Sequence, residues 1–183
     1  QLGTHVLALE SVDMMWQDGE IYSAPSRDLL PEPVQLDDLN FRGEMTIYLA
    51  LSILQPNKKN VALDDSKQPS RYHSYLNETH DLYTDAVPAE ITLVRKRAEI
   101  KLLESQIDPN HDMDGFLYLP IGKIKRHSAG NFELDYKFIP PILHIESCDS
   151  LISNLKRKLN VIKAKIKTIQ TNNRENEQKL IEF

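Results

Sequence analysis

Apolar residues recur in sevens through the last 35 residues, 149–183, a stretch that contains neither Pro nor Gly. The alternating spacing of three and four residues is that of a coiled-coil face and predicts one long helix. At 1.5 Å per residue this helix would be roughly 50 Å long. The two heptad positions that form its apolar seam hold Ile152, Leu155, Leu159, Ile162, Ile166, Ile169, Asn173 and Asn176.

A helix of that length is longer than the domain that the preceding residues would form, because about 145 residues pack to a radius of gyration of about 15 Å. We therefore expect the helix to reach partners outside its own domain. Ile at both seam positions, as in Ile162 and Ile166, favours three strands over two. Asn173 and Asn176 would set the register at some cost in stability. The alternative is a long amphipathic helix packed within an intrachain bundle.

Before the helix, apolar and polar residues alternate, which is typical of β-strands. Residues 45–53 alternate large apolar side chains with small or polar ones and predict a half-buried strand. Further strands are predicted at 4–9, 90–94, 98–103 and 116–125, with a hairpin turn at 128–131 and an edge strand around 72–76 in a polar loop. Many short strands separated by Pro-rich turns predict an antiparallel sandwich or barrel.

The composition, 40% hydrophobic and 27% charged over 183 residues, suits one globular domain with an appendage. Residues 149–183 hold eight Lys or Arg and four Asp or Glu, so the total charge of −5 leaves −9 for the first 148 residues. This acidic charge disfavours a role in nucleic-acid binding. The longest apolar run, 45–54, is about half of the ~20 residues that cross a bilayer, so we expect no direct membrane insertion.

The single cysteine, Cys148, excludes an internal disulfide framework and fits a reducing compartment. No signal peptide is visible, and the cytoplasm is the expected location. The chain opens at Gln1 without an initiator Met and ends at Phe183 inside the helical pattern. We therefore expect it to be a piece of a longer protein.

Candidate catalytic or metal-binding residues are few. Asn110, Asp112 and Asp114 precede Gly115 as in the first half of a calcium loop, but the twelfth position, where a bidentate Glu should stand, is Ile121. The six His residues show no spacing that would put two ligands on one face, and no nucleophile or phosphate-loop motif is present. We predict no catalytic residue, no metal and no cofactor, so these residues give an enzyme no support.

Two segments before the helix carry a family resemblance: 119–124 reads L-P-I-G-K-I, and 130–141 reads G-N-F-E-L-D-Y-K-F-I-P-P. Their order and spacing, followed by a long helix with R-E-N at 174–176, resemble the TssK family, the baseplate component of the bacterial type VI secretion system. Gly122 and Lys123 depart from the usual Ala-Arg pair of that family. The residues that carry the resemblance are Leu119, Pro120, Ile121, Leu134, Asp135, Phe138, Ile139, Pro140 and Pro141.

The same residues have a physical interpretation of their own. Pro140 and Pro141 have no backbone N–H to donate, so they predict an extended connection between the last strand and the helix. The adjacent pair 138–139 is expected to cover the apolar core. Ser147 or Asp149 is expected to cap the helix N-terminus.

The predicted fold class is α+β, with an antiparallel β-sandwich shoulder domain at 1–146 and the first helix of a trimeric helical neck at 147–183. Similarity to the TssK family implies a structural adaptor that acts as a homotrimer at the inner face of the cytoplasmic membrane. It would bind baseplate wedge proteins through the sandwich and membrane-complex proteins through a head that is absent here, as is the rest of the neck. The alternatives are a phage tail-fibre or receptor-binding-protein-like trimeric adaptor, and a carbohydrate-binding or hydrolytic sandwich.

Overall fold

A computed structural model describes residues 5–37, 41, 43–57, 59–62, 70–80, 83, 87–104, 108–127 and 131–181, without the side chains of 111 and 174–181. The chain divides into two compact units, Gln1–Phe138 and Ile139–Phe183. The domain boundary at 146/147 stays a prediction.

The first unit is built mostly of strands. In chain order its elements are β1 (Val6–Leu7), β2 (Val12–Met15), β3 (Ile21–Ala24), β4 (Val34–Gln35), β5 (Glu44–Ser52), β6 (Val61–Ala62), β7 (Tyr72–Thr79), β8 (Ala89–Lys96), β9 (Glu99–Glu104), α1 (Pro109–Asp112), β10 (Phe116–Arg126) and β11 (Phe132–Leu134). The second unit contains a 3-10 turn, Ile145–Ser147, and the helix α2 (Asp149–Ile181).

The strands form one large sheet and three smaller ones. The large sheet has the order β11-β10-β5-β9, and each neighbouring pair in it is antiparallel. A second sheet has the order β6-β7-β8, in which only β6 and β7 are parallel. The pairs β1–β4 and β2–β3 are antiparallel. This confirms the α+β class, with antiparallel sheets in a sandwich-like unit and one long C-terminal helix.

Strand β5 lies at the centre of the large sheet and is more buried than its sequence pattern predicts. Its large apolar residues, such as Leu49 and Leu51, face the core. The half-buried prediction is wrong because the opposite face is covered as well: Thr46 and Ala50 are buried. Their side chains are short, and those of the flanking strands are long, so the neighbours shield them from solvent.

The core consists of two apolar clusters, one of Leu7, Leu36, Phe41, Met45, Ile47 and Ile124, and one of Trp16, Tyr22, Ala24, Leu49, Leu51 and Ala98. Ile100 and Ile121 pack against both clusters, so the core is continuous along the large sheet. Each buried aliphatic side chain contributes roughly 1.5–3 kcal/mol through its removal from water.

The five strands predicted from alternation are present as β1, β5, β8, β9 and β10. The predicted hairpin joins β10 to β11, although its tip, 128–130, lies outside the described residues. The prediction of an edge strand around 72–76 is wrong, because β7 lies between β6 and β8. A two-residue strand such as β6 is too short to show alternation, so the sequence did not indicate the neighbour that covers β7.

The long helix in the second unit confirms the heptad-based prediction, and its start differs by one residue from both predicted caps. Asp149 is the first helical residue. Cys148 before it is extended, at φ −131° and ψ 98°, and its carbonyl accepts from the Ile152 N–H at 3.0 Å. Cys148 therefore holds the N-cap position. Within the described residues, no helix is both long enough and apolar enough to cross a membrane.

Candidate interaction surfaces

The seam of α2 is an exposed apolar stripe. Leu155, Leu159, Ile162, Ile166 and Ile169 are each between 45% and 58% exposed, and their spacing of three and four residues puts them on one helix face. Large apolar side chains spaced along one solvent-facing stripe are typical of a surface that a partner helix covers.

The ends of the seam are more polar or better covered. Ile152 is half-buried, and Asn173 is exposed. The side chain of Asn176 lies outside the described residues. Asn173 follows Ile169 by four residues, so it continues the same stripe towards the C-terminus of the helix.

Outside the seam, the exposed surface of the helix is mostly charged and polar, with Val161 as an exposed apolar exception. The lysines at 156, 158, 163, 165 and 167 are exposed. Thr168 Oγ1 donates to the Ala164 carbonyl at 3.1 Å, and Thr171 Oγ1 donates to the Lys167 carbonyl at 3.0 Å. These bonds lie within the helix itself. The pattern of an apolar seam beside a basic surface is that of a coiled-coil helix.

The motif residues of β10 lie at the centre of the first unit. Leu119 is opposite Leu49, and Pro120 is opposite Tyr48, immediately before the register of β10 and β5 shifts. Gly122 follows that shift, and a methyl group there would lie 3.2 Å from Ile47 Cδ1. Ala at this position, as in the TssK-like pattern, would be a tight contact that requires Ile47 to shift by a few tenths of an ångström.

The Leu134-Asp135 pair ends β11. Leu134 is opposite Ile124 and packs on the first core cluster. The Asp135 carboxylate accepts from the Lys137 N–H at 3.0 Å and from Lys125 Nζ at 3.3 Å. The Lys137 N–H and then Lys125 lower the pKa of Asp135.

Two lysines of β10 extend this charged patch to β5. Glu44 accepts from Lys123 Nζ at 2.7 Å and lies 3.2 Å from Lys125 Nζ. The hydrogen bonds from Lys123 and then Lys125 lower the pKa of Glu44. The patch is a structural ion-pair network on the large sheet, and surface pairs of this kind contribute roughly 0–1 kcal/mol each.

The remaining motif residues divide between the two units. Phe138 ends the first unit, and its N–H donates to the Asp135 carbonyl at 3.0 Å. Ile139, Pro140 and Pro141 begin the second unit. The expectation that 138–139 cover the core is not met by Ile139, which is 43% exposed. The structure therefore does not bring all nine motif residues together, and most of them hold the fold.

An ion-pair cluster around the buried Arg71, with the partly exposed carboxylates of Asp18 and Glu20, was not indicated by the sequence. Arg71 is 2% exposed, and its Nη2 lies 2.9 Å from Asp18 Oδ2 and 2.5 Å from Glu20 Oε2. Its Nη1 donates to the Ser52 carbonyl at 3.1 Å. Burial alone would raise the pKa of Asp18, but the Glu20 N–H and Arg71 outweigh it and lower that pKa. The cluster joins three segments far apart in sequence, which is why no local pattern reveals it.

A cavity of about 420 Å³ lies beside this cluster, and its lining includes Ser52, Gln55, Asn60, Arg71, Asp114 and Phe116. Two of the calcium-loop candidates have other roles nearby: Asn110 Oδ1 accepts from Tyr118 Oη at 2.6 Å, and Asp112 is part of α1. Across the part of the chain that the structure describes, no three His, Cys, Asp or Glu side chains are grouped so that they could hold a metal ion.

Comparison with known proteins shows the family. All 183 residues, 1–183, match the model of T6SS_VasE, described as Bacterial Type VI secretion, VC_A0110, EvfL, ImpJ, VasE. The chain belongs to this family. The match confirms the resemblance that segments 119–124 and 130–141 indicate. None of the curated proteins compared with the chain matches it.

Solved structures similar to this type VI secretion family member share its fold at low identity. One, the TssK-TssF-TssG baseplate subcomplex solved by cryo-electron microscopy, holds a chain that is 23% identical, with a TM-score of 0.71 over 91% of this chain. A TssK crystal structure is 21% identical, with a TM-score of 0.73 over 92% of this chain. TssK from T6SS EAEC in complex with nanobody nb18 is 20% identical, with a TM-score of 0.66 over 91% of this chain.

The family member described here spans only part of those proteins. It covers 54%, 37% and 51% of the three matched chains, respectively. The fold that it shares with them comprises the strand-rich unit and the helix that bears the seam.

Proposed function

We propose that this type VI secretion family member is a structural, non-enzymatic adaptor of the secretion baseplate and acts as a homotrimer. The observation that carries the proposal is the exposed seam of α2, from Leu155 to Ile169, in a chain whose family and fold are those of TssK. An adaptor needs a means of self-association and a separate folded surface for partners, and the two units offer one of each.

The trimeric state rests on the side chains of the seam. Ile162, Ile166 and Ile169 put β-branched residues at both heptad positions, a pattern that favours more than two strands. Their exposure leaves several apolar layers available for burial, each worth roughly 1.5–3 kcal/mol per fully buried side chain. Asn173 and Asn176 would follow as polar layers that fix the register.

The proposed partners of the first unit are baseplate wedge proteins. The similar structures name TssF and TssG beside TssK, which supports a baseplate role for the same fold here. The first 148 residues carry a charge of −9, so we expect the wedge surface that they bind to be basic. Membrane-complex proteins would bind the part of the relatives that this chain does not span, and the assembly would lie at the inner face of the cytoplasmic membrane.

Co-purification tests this division of roles. A tagged chain is mixed with the TssF and TssG proteins of its own secretion system, and separately with the cytoplasmic domains of the membrane complex. We expect TssF and TssG to be retained and the membrane-complex domains to be lost. Retention of the membrane-complex domains at full affinity, or no retention of TssF and TssG by a trimeric chain, would contradict the proposal.

A further inference from the structure

Strand β8 is the outermost strand of the β6-β7-β8 sheet within the described residues. The segment before β4 covers this edge at one end only: the Leu29 N–H donates to the Lys96 carbonyl at 2.9 Å, and the Lys96 N–H donates to Asp28 Oδ1 at 3.2 Å. Between Pro88 and Lys96, no strand pairs with the edge in the described part of the chain.

The same contacts show which way the backbone groups of β8 point. Because the Arg97 N–H donates to the Arg71 carbonyl, odd-numbered residues of this segment bond towards β7. Lys96 bonds in the opposite direction, and backbone groups alternate along a strand. The N–H and C=O groups of Glu90, Thr92 and Val94 therefore point out of the open edge.

The side chains in the middle of this edge do not protect it, although charged residues stand at both ends of β8. Natural edge strands avoid pairing through charged residues, Pro or bulges. Here the run from Ile91 to Val94 has none of these, and Ile91, Leu93 and Val94 are 45%, 38% and 50% exposed. Large apolar side chains thus lie on both faces of an edge whose outward N–H and C=O groups pair with no strand among the described residues, which favours the addition of another strand.

We propose that β8 pairs with β8 of a second copy of this chain, antiparallel and about a two-fold axis at Thr92. The charges along β8 favour a second copy of the chain as the pairing strand. Glu90 makes one end of the strand acidic, and Glu78 lies opposite it on β7. Arg95, whose guanidinium lies over the Tyr75 ring, makes the other end basic. The Lys96 ammonium adds little there, because it already donates to the Ile21 carbonyl and lies near Asp28. Antiparallel self-pairing puts the acidic end of each copy against the basic end of the other, whereas parallel self-pairing would put like charges together.

The register follows from the length of the free edge. Pro88 has no N–H to donate, and Lys96 is already bonded, so 89–95 is the part that is free to pair. Its central residue is Thr92. Thr92 of one copy would lie opposite Thr92 of the other, and Glu90 would lie opposite Val94. In this register Arg95 of the second copy would lie opposite Ala89, next to Glu90 along the strand.

The proposed strand pair and the proposed trimer are separate associations of the chain. A two-fold strand pair cannot be part of a closed three-fold ring of the same three chains, so it would join chains of different trimers. The inference therefore does not rest on the trimer, and it is tested most cleanly in a chain whose seam is broken by Ile166→Lys.

Sedimentation of the Ile166→Lys chain at concentrations from about 10 to about 500 µM tests the pairing, since one strand pair is a small, weak interface. We expect the weight-average mass to rise towards twice that of one chain. In the same background, Thr92→Pro removes only an outward N–H, so it should keep the β circular dichroism and abolish the rise. Thr92→Val keeps that N–H and should retain the rise.

Crosslinking tests the register without relying on a proline. In a Cys148→Ser chain, Thr92→Cys should be joined to itself by a short bis-maleimide. Glu90→Cys and Val94→Cys should each crosslink poorly alone and efficiently when the two are mixed, since the register places these residues opposite each other.

Three results would overturn the inference: a constant monomer mass up to about 500 µM, self-association that Thr92→Pro leaves unchanged, or crosslinking of Val94→Cys to itself in preference to Glu90→Cys. If the chain stays monomeric and Thr92→Pro instead weakens retention of TssF and TssG, the edge belongs to a different protein, and self-pairing is wrong.

Discussion

At the residue scale, Tyr22 links distant parts of the strand-rich unit. Its ring is fully buried, its hydroxyl donates to the Leu29 carbonyl, and the Ala98 N–H donates to it at 3.2 Å. Burial raises the pKa of Tyr22 to about 12. No sequence pattern identified the Tyr22–Ala98 contact or the Arg71 cluster. Ala98 is 76 residues from Tyr22, and Arg71 is 53 and 51 residues from its two carboxylate partners, so only the fold brings them together.

Tyr22→Phe should destabilise the chain by about 1–3 kcal/mol, because it leaves the buried Ala98 N–H without this partner and removes the bond to the Leu29 carbonyl. Urea unfolding at pH 7 measures this cost.

The contribution of Tyr22 is fully present below pH 10, its ordinary pKa, and is lost as the pH rises towards 12. The difference in stability between Tyr22→Phe and wild type should therefore shrink above pH 10. Tyr118→Phe, whose hydroxyl bond to Asn110 is exposed, should change stability by less than about 0.5 kcal/mol. An equal loss of folding stability in the two variants would contradict the structural role of the Tyr22 hydroxyl.

Asp135 is a second residue whose contribution to folding stability depends on pH. Its pKa is lowered from 3.8, chiefly by the Lys137 N–H and by Lys125, so it stabilises the fold above pH 3.8 and loses that effect as the pH falls below 3.8. Wild type should therefore be more stable than Asp135→Asn at pH 7, and the gap should close in acid. Lys125→Met should reduce this pH dependence. A gap that persists unchanged at pH 2 would rule out the ionic contribution.

At the scale of elements, the sequence predicted the longer strands and the long helix. Strands of six or more residues and the 33-residue α2 repeat their pattern often enough to be recognised. Strands β2, β3, β4 and β6 have two to four residues, too few for a period to show. Strand β1 is as short, but it lies within the longer alternating run 4–9 that predicted it. The burial of Thr46 and Ala50 was missed because it depends on side chains of the neighbouring strands.

Leu49→Ala in the central strand should cost about 2–5 kcal/mol, since Leu49 is fully buried in the second core cluster and its truncation leaves a cavity. Leu76→Ala on β7 is the matched control, because Leu76 is 67% exposed, and should change stability by less than about 0.5 kcal/mol. Urea unfolding of both variants makes the comparison. If both cost the same, β5 is not the centre of the core.

At the scale of the whole molecule, the sequence indicated the family from an ordered set of motif residues, and the match over 1–183 confirms it. The structure explains why that set is informative. Leu119, Ile121 and Leu134 pack on the core, and Asp135 closes the turn after β11, so their spacing follows from the fold. How copies of the chain associate is not determined by those residues. In the proposed trimer it would depend on the seam of α2, whose apolar side chains are exposed.

The most direct test of the adaptor account is the mass of the chain in solution, measured by light scattering coupled to size-exclusion chromatography at tens of micromolar. The account predicts about three times the chain mass of 21.1 kDa. It also predicts close to one chain mass for Ile166→Lys, which would bring like charges together in a buried layer. Lys163→Glu, outside the seam, should leave the trimer intact. A monomeric wild type, or a trimer that survives Ile166→Lys but not Lys163→Glu, would contradict the account.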